Sequence, residues 1–410
     1  MMFLKKKKSR KNTYKNNVFP RYVDEMVGAF DAEKFNCGIC DKNGGRNAAV
    51  PAAGETTILS ENVRLSIHDE KTHLNNNMFI IADDSYADKL IVANILQCNS
   101  SFAVADVGGK MLAKTRARLV NAGYDIQVVD IRRPEASAKY NPLRFVKDKE
   151  NAEMLARCIA GDDFCALSDA ILRVLSGNEE EEQTMANVAK LIAGSESGMH
   201  CMNVFLRPEI TNLTERNDII LDKAGERLTG IFVVCPEEKS DADVLANIMM
   251  MQLHRMLVKT AKEKYNDERL PYLTRLYFNH IDRYGSNPFF VYMDKDDCFR
   301  NVRKYNIAYT IACWGLSSVK KIYGEDIEYI FAKADAAIYC NTDDEMTARY
   351  IYRKIGVGLR HAHSRQRGVL IDPVSVKRPV TYEEFLALPE DECYIMLRGH
   401  DEILDKKYSK

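Results

Sequence analysis

Short, continuously apolar runs constrain this chain more than any other feature. "MFIIA" (78–82), "SFAVADV" (101–107) and "DIQVVDI" (125–131) read as strands that lack a polar face. "KMLAKTRARLVNAG" (110–123) lies between the second and third, has a helical period and ends on a glycine stop signal. Apolar strands separated by helices must be covered on both faces, as in a buried parallel sheet. The pattern breaks over 150–215, where periods are helical and no strand is predicted, and resumes at "LTGIFVVCP" (228–236). A long helix is predicted over 241–265, and further strands over 274–281, 307–314 and 334–340. The predicted organisation is a basic, irregular tail (1–54), a first α/β part (55–150), an all-helical insertion (151–227) and a second α/β part running to residue 410. The Met-rich run "IMMMQLHRM" (248–256) falls on the long helix and suits a core or a subunit contact.

With 410 residues, 46% of them hydrophobic, the chain can bury a large core. A net charge of −1 points to neither nucleic acid nor an acidic partner in bulk. The charge is uneven, however. Lys5, Lys6, Lys7, Lys8, Arg10 and Lys11 form a basic run with almost no apolar content, which fits a solvated tail or a tether to anionic lipid or nucleic acid. No apolar run reaches the roughly 18 residues of a membrane span, and no signal-peptide core follows the basic N-terminus. The expected location is the cytoplasm, with peripheral membrane contact through the tail. Most of the eleven cysteines fall in apolar patterns and are expected to be reduced core residues. Cys37 and Cys40 have metal spacing, but no second pair stands nearby at ligand spacing.

"NNNMFIIADDSYADKLIVANI" (75–95) puts a strand, a short connection and a helix where a phosphate-binding loop would sit. Such a loop follows G-x-x-x-x-G-K-[ST]. Here the connection reads "ADDSYADK", with no glycine and three aspartates.

The series "ILSENVRLSI", "NNNMFII", "NILQCNSSFAVAD", "NAGYDIQVVDI" with "YNPL", "LTGIFVVCPEEKSDADVLANIMMMQL", "RLPYLTRLYFNHIDRYGSNP" and "RKYNIAYTIACW" resembles the conjugative DNA-transfer coupling proteins of type IV secretion, the TraG/TraD type. Order and spacing match from about residue 55 to 408. The resemblance implies a RecA-like P-loop NTPase fold with a parallel-rich sheet and a shortened all-α insertion. It also implies oligomerisation and a role in passing a DNA–relaxase substrate to a secretion channel. The family normally carries an N-terminal membrane anchor.

Three positions in that alignment depart from the family's chemistry. The phosphate loop falls on Asp83, Asp84, Ser85, Asp88 and Lys89. Without glycines the backbone N–H groups cannot converge on phosphate. Each aspartate facing a phosphate at ~4 Å would cost on the order of 4 kcal/mol near the surface. The Asp-Glu pair that serves magnesium and the attacking water falls on Asn279 and His280, and an amide is a poor magnesium ligand. A histidine could act as a base, but only with a metal and a cradled phosphate beside it. A register shift of two residues would restore an acid, Asp282. The Gln that senses the γ-phosphate falls on Trp314, the only tryptophan, expected to fill the space a nucleotide would take.

The expectation is therefore a coupling-protein-like fold without ATPase activity, no catalytic residue, no cofactor and no metal. It would act as a structural or adaptor subunit. Its expected partners are other secretion or conjugation proteins, among them an active coupling ATPase or a relaxase, in a homo- or hetero-oligomer. Two alternatives stay open. One is an active ATPase or DNA translocase with an unorthodox site, which alone would need ATP and magnesium. The other is a soluble DNA-binding regulator that uses the basic tail and "RKIGVGLRHAHSRQR" (353–367), including Arg360, Arg365 and Arg367, as DNA or partner contacts. "ADDSYAD" with "NTDDE" (341–345) suits either a divalent-metal site or a solvated surface, and His361 with His363 suits a surface loop.

Overall fold

The computed structural model describes residues 54–177, 179–193, 200–284, 302–324, 326–355, 369–370, 381–400 and 402–409. The tail with its basic run, Cys37 and Cys40, and the segment holding Arg360, His361, His363, Arg365 and Arg367 lie outside the described residues.

Strands β1 (Thr56–Ile58) and β2 (Arg64–Ser66) form an antiparallel hairpin. Next, β3 (Met78–Ile81) runs into helix α1 (Asp84–Leu96), and β4 (Ser101–Val107) into α2 (Lys110–Asn121). After β5 (Asp125–Asp130) come four helices: α3 (Lys149–Ala160), α4 (Phe164–Gly177), α5 (Met185–Ala193) and α6 (Pro208–Thr214). The sheet pattern returns with β6 (Thr229–Cys235), the long helix α7 (Val244–Lys264), β7 (Thr274–Phe278) and β8 (Ile307–Cys313). Helices α8 (Leu316–Tyr323) and α9 (Asp326–Ala332), β9 (Ala336–Tyr339) and α10 (Glu345–Ile355) follow. The chain closes with β10 (Val369–Leu370), β11 (Glu392–Leu397) and β12 (Ile403–Lys406).

Nine strands make one sheet in the order β12-β11-β9-β3-β8-β7-β4-β6-β5. From β9 to β5 every pairing is parallel, and only β11 with its two neighbours is antiparallel. Alternation explains why the strands read as unbroken apolar runs. Phe79 and Ile81 of β3, with Ala103 and Ala105 of β4, enter one core cluster. Met78, Ile80, Phe102 and Val104 enter the other, on the opposite face. The insertion helices and α7 cover the first face. Met249, Met250 and Met251 are buried there, so the methionine run is core. Helices α1 and α2 cover the second.

The antiparallel hairpin β11–β12 carries no clear strand signal in the sequence. Its outer strand is tied to the β1–β2 connection: Asp405 accepts from Ser60 Oγ and from Asn62 N (2.9 Å) and Nδ2 (2.8 Å). Among the described residues, no helix is long and apolar enough to cross a membrane.

Candidate functional site

A parallel sheet puts its ligand crevice at the carboxyl ends of the strands, where each chain turns into its helix. Here those ends bring together Ala82–Asp83 after β3, Asp106 in β4, Asn279–His280 after β7 and Trp314 after β8. The segments aligned above do meet, although they lie far apart in sequence.

The turn after β3 is shorter than expected. Residues 82–89 are not a loop, because α1 begins at Asp84. Asp83 is its N-cap, in extended conformation, and accepts the Tyr86 N–H at 2.9 Å. A two-residue connection leaves no loop to wrap around phosphate. The Asp-Asp-Ser stretch reads as a loop by polarity, yet it is what starts the helix. Ser85 is exposed in the first turn.

One turn further on, the α1 carboxylates meet His280. Its Nδ1 lies 3.0 Å from Asp84 Oδ1 and its Nε2 lies 3.3 Å from Asp88 Oδ1, although the second contact lacks hydrogen-bond alignment. Asn279 Nδ2 donates to the same Asp88 Oδ1 at 3.2 Å. Burial alone would lower the His280 pKa. The two carboxylates beside it, Asp84 and Asp88, outweigh burial, and the pKa is pushed up to about 9. With that pKa the imidazole is protonated at neutral pH and paired with the α1 carboxylates. It sits at φ 55, in the left-handed region that side chains rarely adopt. The side chain of Asp282, the acid of the alternative register, lies outside the described residues.

Lys89 faces elsewhere: its ammonium donates to the Ser409 carbonyl at 2.8 Å, in the C-terminal segment. That segment is held a second time, by Tyr408 N donating to Tyr86 Oη at 3.1 Å.

Trp314 corrects an expectation. It stands at the crevice end of β8, where Ala82 N bonds Cys313 O at 3.0 Å, but its side chain is 51% exposed and does not fill the crevice. Strand alternation would send residue 314 to the face of Ala312, and α1 already closes that side. The chain instead turns at Gly315 into α8, whose start is fixed to α10. Asp344 accepts from Ser317 N (2.9 Å) and Oγ (2.6 Å), and Leu316 N bonds Thr347 Oγ1 at 2.7 Å. A Cβ on Gly315 would lie 2.6 Å from Asp344 Oδ2, so the approach requires glycine. The indole is left on the rim. Asp344, part of the acidic stretch 341–345, thus serves as a helix cap.

Asp106 was missed in the sequence. It is fully buried in β4 and accepts the N–H groups of Met111 (2.9 Å) and Leu112 (2.8 Å) at the start of α2. Burial raises its pKa, the two N–H groups oppose, the Asp88 charge adds, and the result is about 6. The readable signal was an acid at a strand end just before Gly108-Gly109, a turn signature. Gly109 has φ 76, and a Cβ there would meet Arg132 Nη2 at 2.8 Å. Nearby cations already have partners: Lys110 pairs with Glu237 at 3.0 Å and Arg132 with Asp130 at 3.0 Å.

These residues do not fit a nucleoside triphosphate with magnesium. The helix start that would hold phosphate carries Asp83 and Asp84, and Asp88 follows one turn on. The compensating cation is the chain's own His280, and Lys89 is turned away. Among the described residues, no group of three or more His, Cys, Asp or Glu is placed to hold a metal ion.

The unbound bacterial conjugative coupling protein TrwB superposes with a TM-score of 0.59 at 12% identity, over 86% of this chain and 90% of that one. The chain has the fold of a conjugative coupling protein. Plasmid coupling protein TrwB in complex with ADP and Mg²⁺ matches at a TM-score of 0.56 and 12% identity, over 82% and 85% of the two chains. VirB4 of Thermoanaerobacter pseudethanolicus matches at 0.57 and 11%, over 90% and 98%. No protein-family model and no curated protein matches the sequence. At these identities, what is shared with the coupling protein and with VirB4 is the P-loop NTPase-like α/β fold. The RecA-like architecture expected from the resemblance is the one present.

Proposed function

We propose that this chain is a catalytically inactive, coupling-protein-like component of conjugative DNA transfer or type IV secretion, acting as a structural or adaptor subunit. The supporting observation is the Asp84–His280–Asp88 contact at the start of α1. There the chain's own ions occupy the end of the helix that would otherwise attract phosphate. Polyphosphate entering this crevice would displace the imidazolium and face Asp84 and Asp88 with little compensation. The partners on this reading are other transfer proteins, an active coupling ATPase or a relaxase among them, in a homo- or hetero-oligomer.

Titration calorimetry of the purified protein with ATP and Mg²⁺ tests it. No heat above dilution is expected, and a micromolar dissociation constant would overturn the reading. The competing reading, an active ATPase with an unorthodox site, draws support from TrwB having the same fold and a complex with ADP and Mg²⁺. The same titration separates the two.

A further inference from the structure

Cys340 and Cys393 are 53 residues apart in sequence and face each other across two strands. The β9–β11 register pairs Tyr339 with Tyr394 and Ile338 with Ile395, so the next step out pairs Cys340 with Cys393. Antiparallel pairs alternate between hydrogen-bonded and non-hydrogen-bonded types. Arg398 N donates to Asp335 O at 2.9 Å, which makes that pair hydrogen-bonded and, five steps along, makes Cys340–Cys393 non-hydrogen-bonded. Two neighbours agree. Cys340 N bonds Ile81 O of β3 at 2.9 Å, away from β11. On the other side of β11, Lys407 N bonds Asp391 O at 2.7 Å, so the hydrogen-bonding groups of Cys393 turn toward β12.

Non-hydrogen-bonded pairs bring their Cα atoms to about 4.5 Å and their side chains closest together. A disulfide spans Cα separations of about 4.4–6.8 Å. Both side chains lie on the same face, in the same core cluster, and both are buried free thiols. Cys340 favours the protonated form of the neighbouring Cys393 as a donor and, together with burial, holds the Cys393 thiol well above the usual thiol range.

We propose that Cys340 and Cys393 form a cross-strand dithiol site that a small-molecule disulfide oxidises, locking the C-terminal hairpin to the sheet beside the start of α1. Because the thiolate is the nucleophile, the closed, buried pair is slow to react. Reaction proceeds when the β11–β12 hairpin, at the edge of the sheet, opens locally. One cysteine loses its proton and attacks the oxidant's disulfide, releasing one thiolate. The second then loses its proton and attacks the mixed disulfide, releasing the other. One Sγ–Sγ bond forms, and two protons and two electrons leave the pair. The oxidant takes up the electrons and becomes two thiols.

The test uses the full chain incubated with oxidised glutathione in urea just below its unfolding transition, then acid-quenched, denatured, alkylated and mapped by peptide mass spectrometry. The expected result is that Cys340 and Cys393 both escape alkylation, whatever glutathione adducts form at the exposed Cys165 and Cys201. A linked 340–393 peptide should appear, two hydrogens lighter than the sum of its parts. The oxidised protein should melt at a higher temperature, and dithiothreitol should reverse the shift. Full alkylation of both cysteines, a glutathione adduct that never resolves, or a link to any other cysteine would overturn the site. A linked protein that melts no higher would overturn the lock. Cys340→Ala should leave Cys393 holding one glutathione. If that variant does not fold, the mapping of the unaltered chain decides alone.

Discussion

His280 combines a strained backbone with a charge the fold requires, and the two can be separated. Asparagine tolerates the left-handed region but carries no charge, so His280→Asn keeps the turn and removes the cation. The folded pKa of about 9 stands above the ordinary 6.5. The stability it adds is therefore fully present below about 6.5 and is lost as pH rises through about 9. We expect His280→Asn to cost up to about 3 kcal/mol near pH 6 and progressively less toward pH 10, by urea denaturation at each pH. A penalty independent of pH would mean that shape, not charge, fixes this residue. At the same scale, Trp314→Ala should cost on the order of 1–2 kcal/mol, less than a core tryptophan, because about half of the residue is in water. Iodide should quench its fluorescence readily, and a strongly blue-shifted, protected emission would contradict its place on the rim.

Among the elements, α1 is started by a single capping side chain. Asp83→Ala removes the cap on Tyr86 N and should cost about 1 kcal/mol in thermal or chemical unfolding. Strands were legible where both faces are buried: β4 runs over Ser101–Val107, as its apolar run predicts. The start of α1 was not legible, because a capping aspartate and a loop aspartate look alike in sequence. Trp314 was misplaced for a related reason: alternation holds only while the strand lasts, and β8 stops at Cys313. β11 and β12 escaped notice because they form an edge hairpin whose stretch "ECYIMLRGHDEILDK" mixes charge with apolar residues. The convergence of Asp84, Asp88, Asn279 and His280 on one point was readable only through the resemblance, since no local pattern links residues on α1 with the end of β7.

On the scale of the whole molecule, the acidic crevice predicts that ATP with Mg²⁺ will not raise the melting temperature, whereas a saturating ligand at 100 times its dissociation constant would add about 2.7 kcal/mol. The basic run at residues 5–11 belongs to this scale too. Each Lys or Arg near an anionic surface contributes about 1 kcal/mol, so deleting residues 1–15 should abolish any binding to anionic vesicles in a flotation assay. Binding that survives the deletion would assign the contact to another surface.

The position of β3 also bears on how the chain is made. It is synthesised well before its neighbours: Met78 pairs with Thr310 on one side and Ala336 on the other. While a ribosome completes the intervening residues, "MFII" has neither neighbour, and its unpaired backbone edges and two apolar faces stay open to other nascent chains. The β1–β2 connection waits longer still, because its partner Asp405 lies more than 300 residues further along the chain. The sheet can therefore close around β3 only once β8 and β9 have both emerged. A chain stalled before residue 307 should be a substrate for chaperones and proteases.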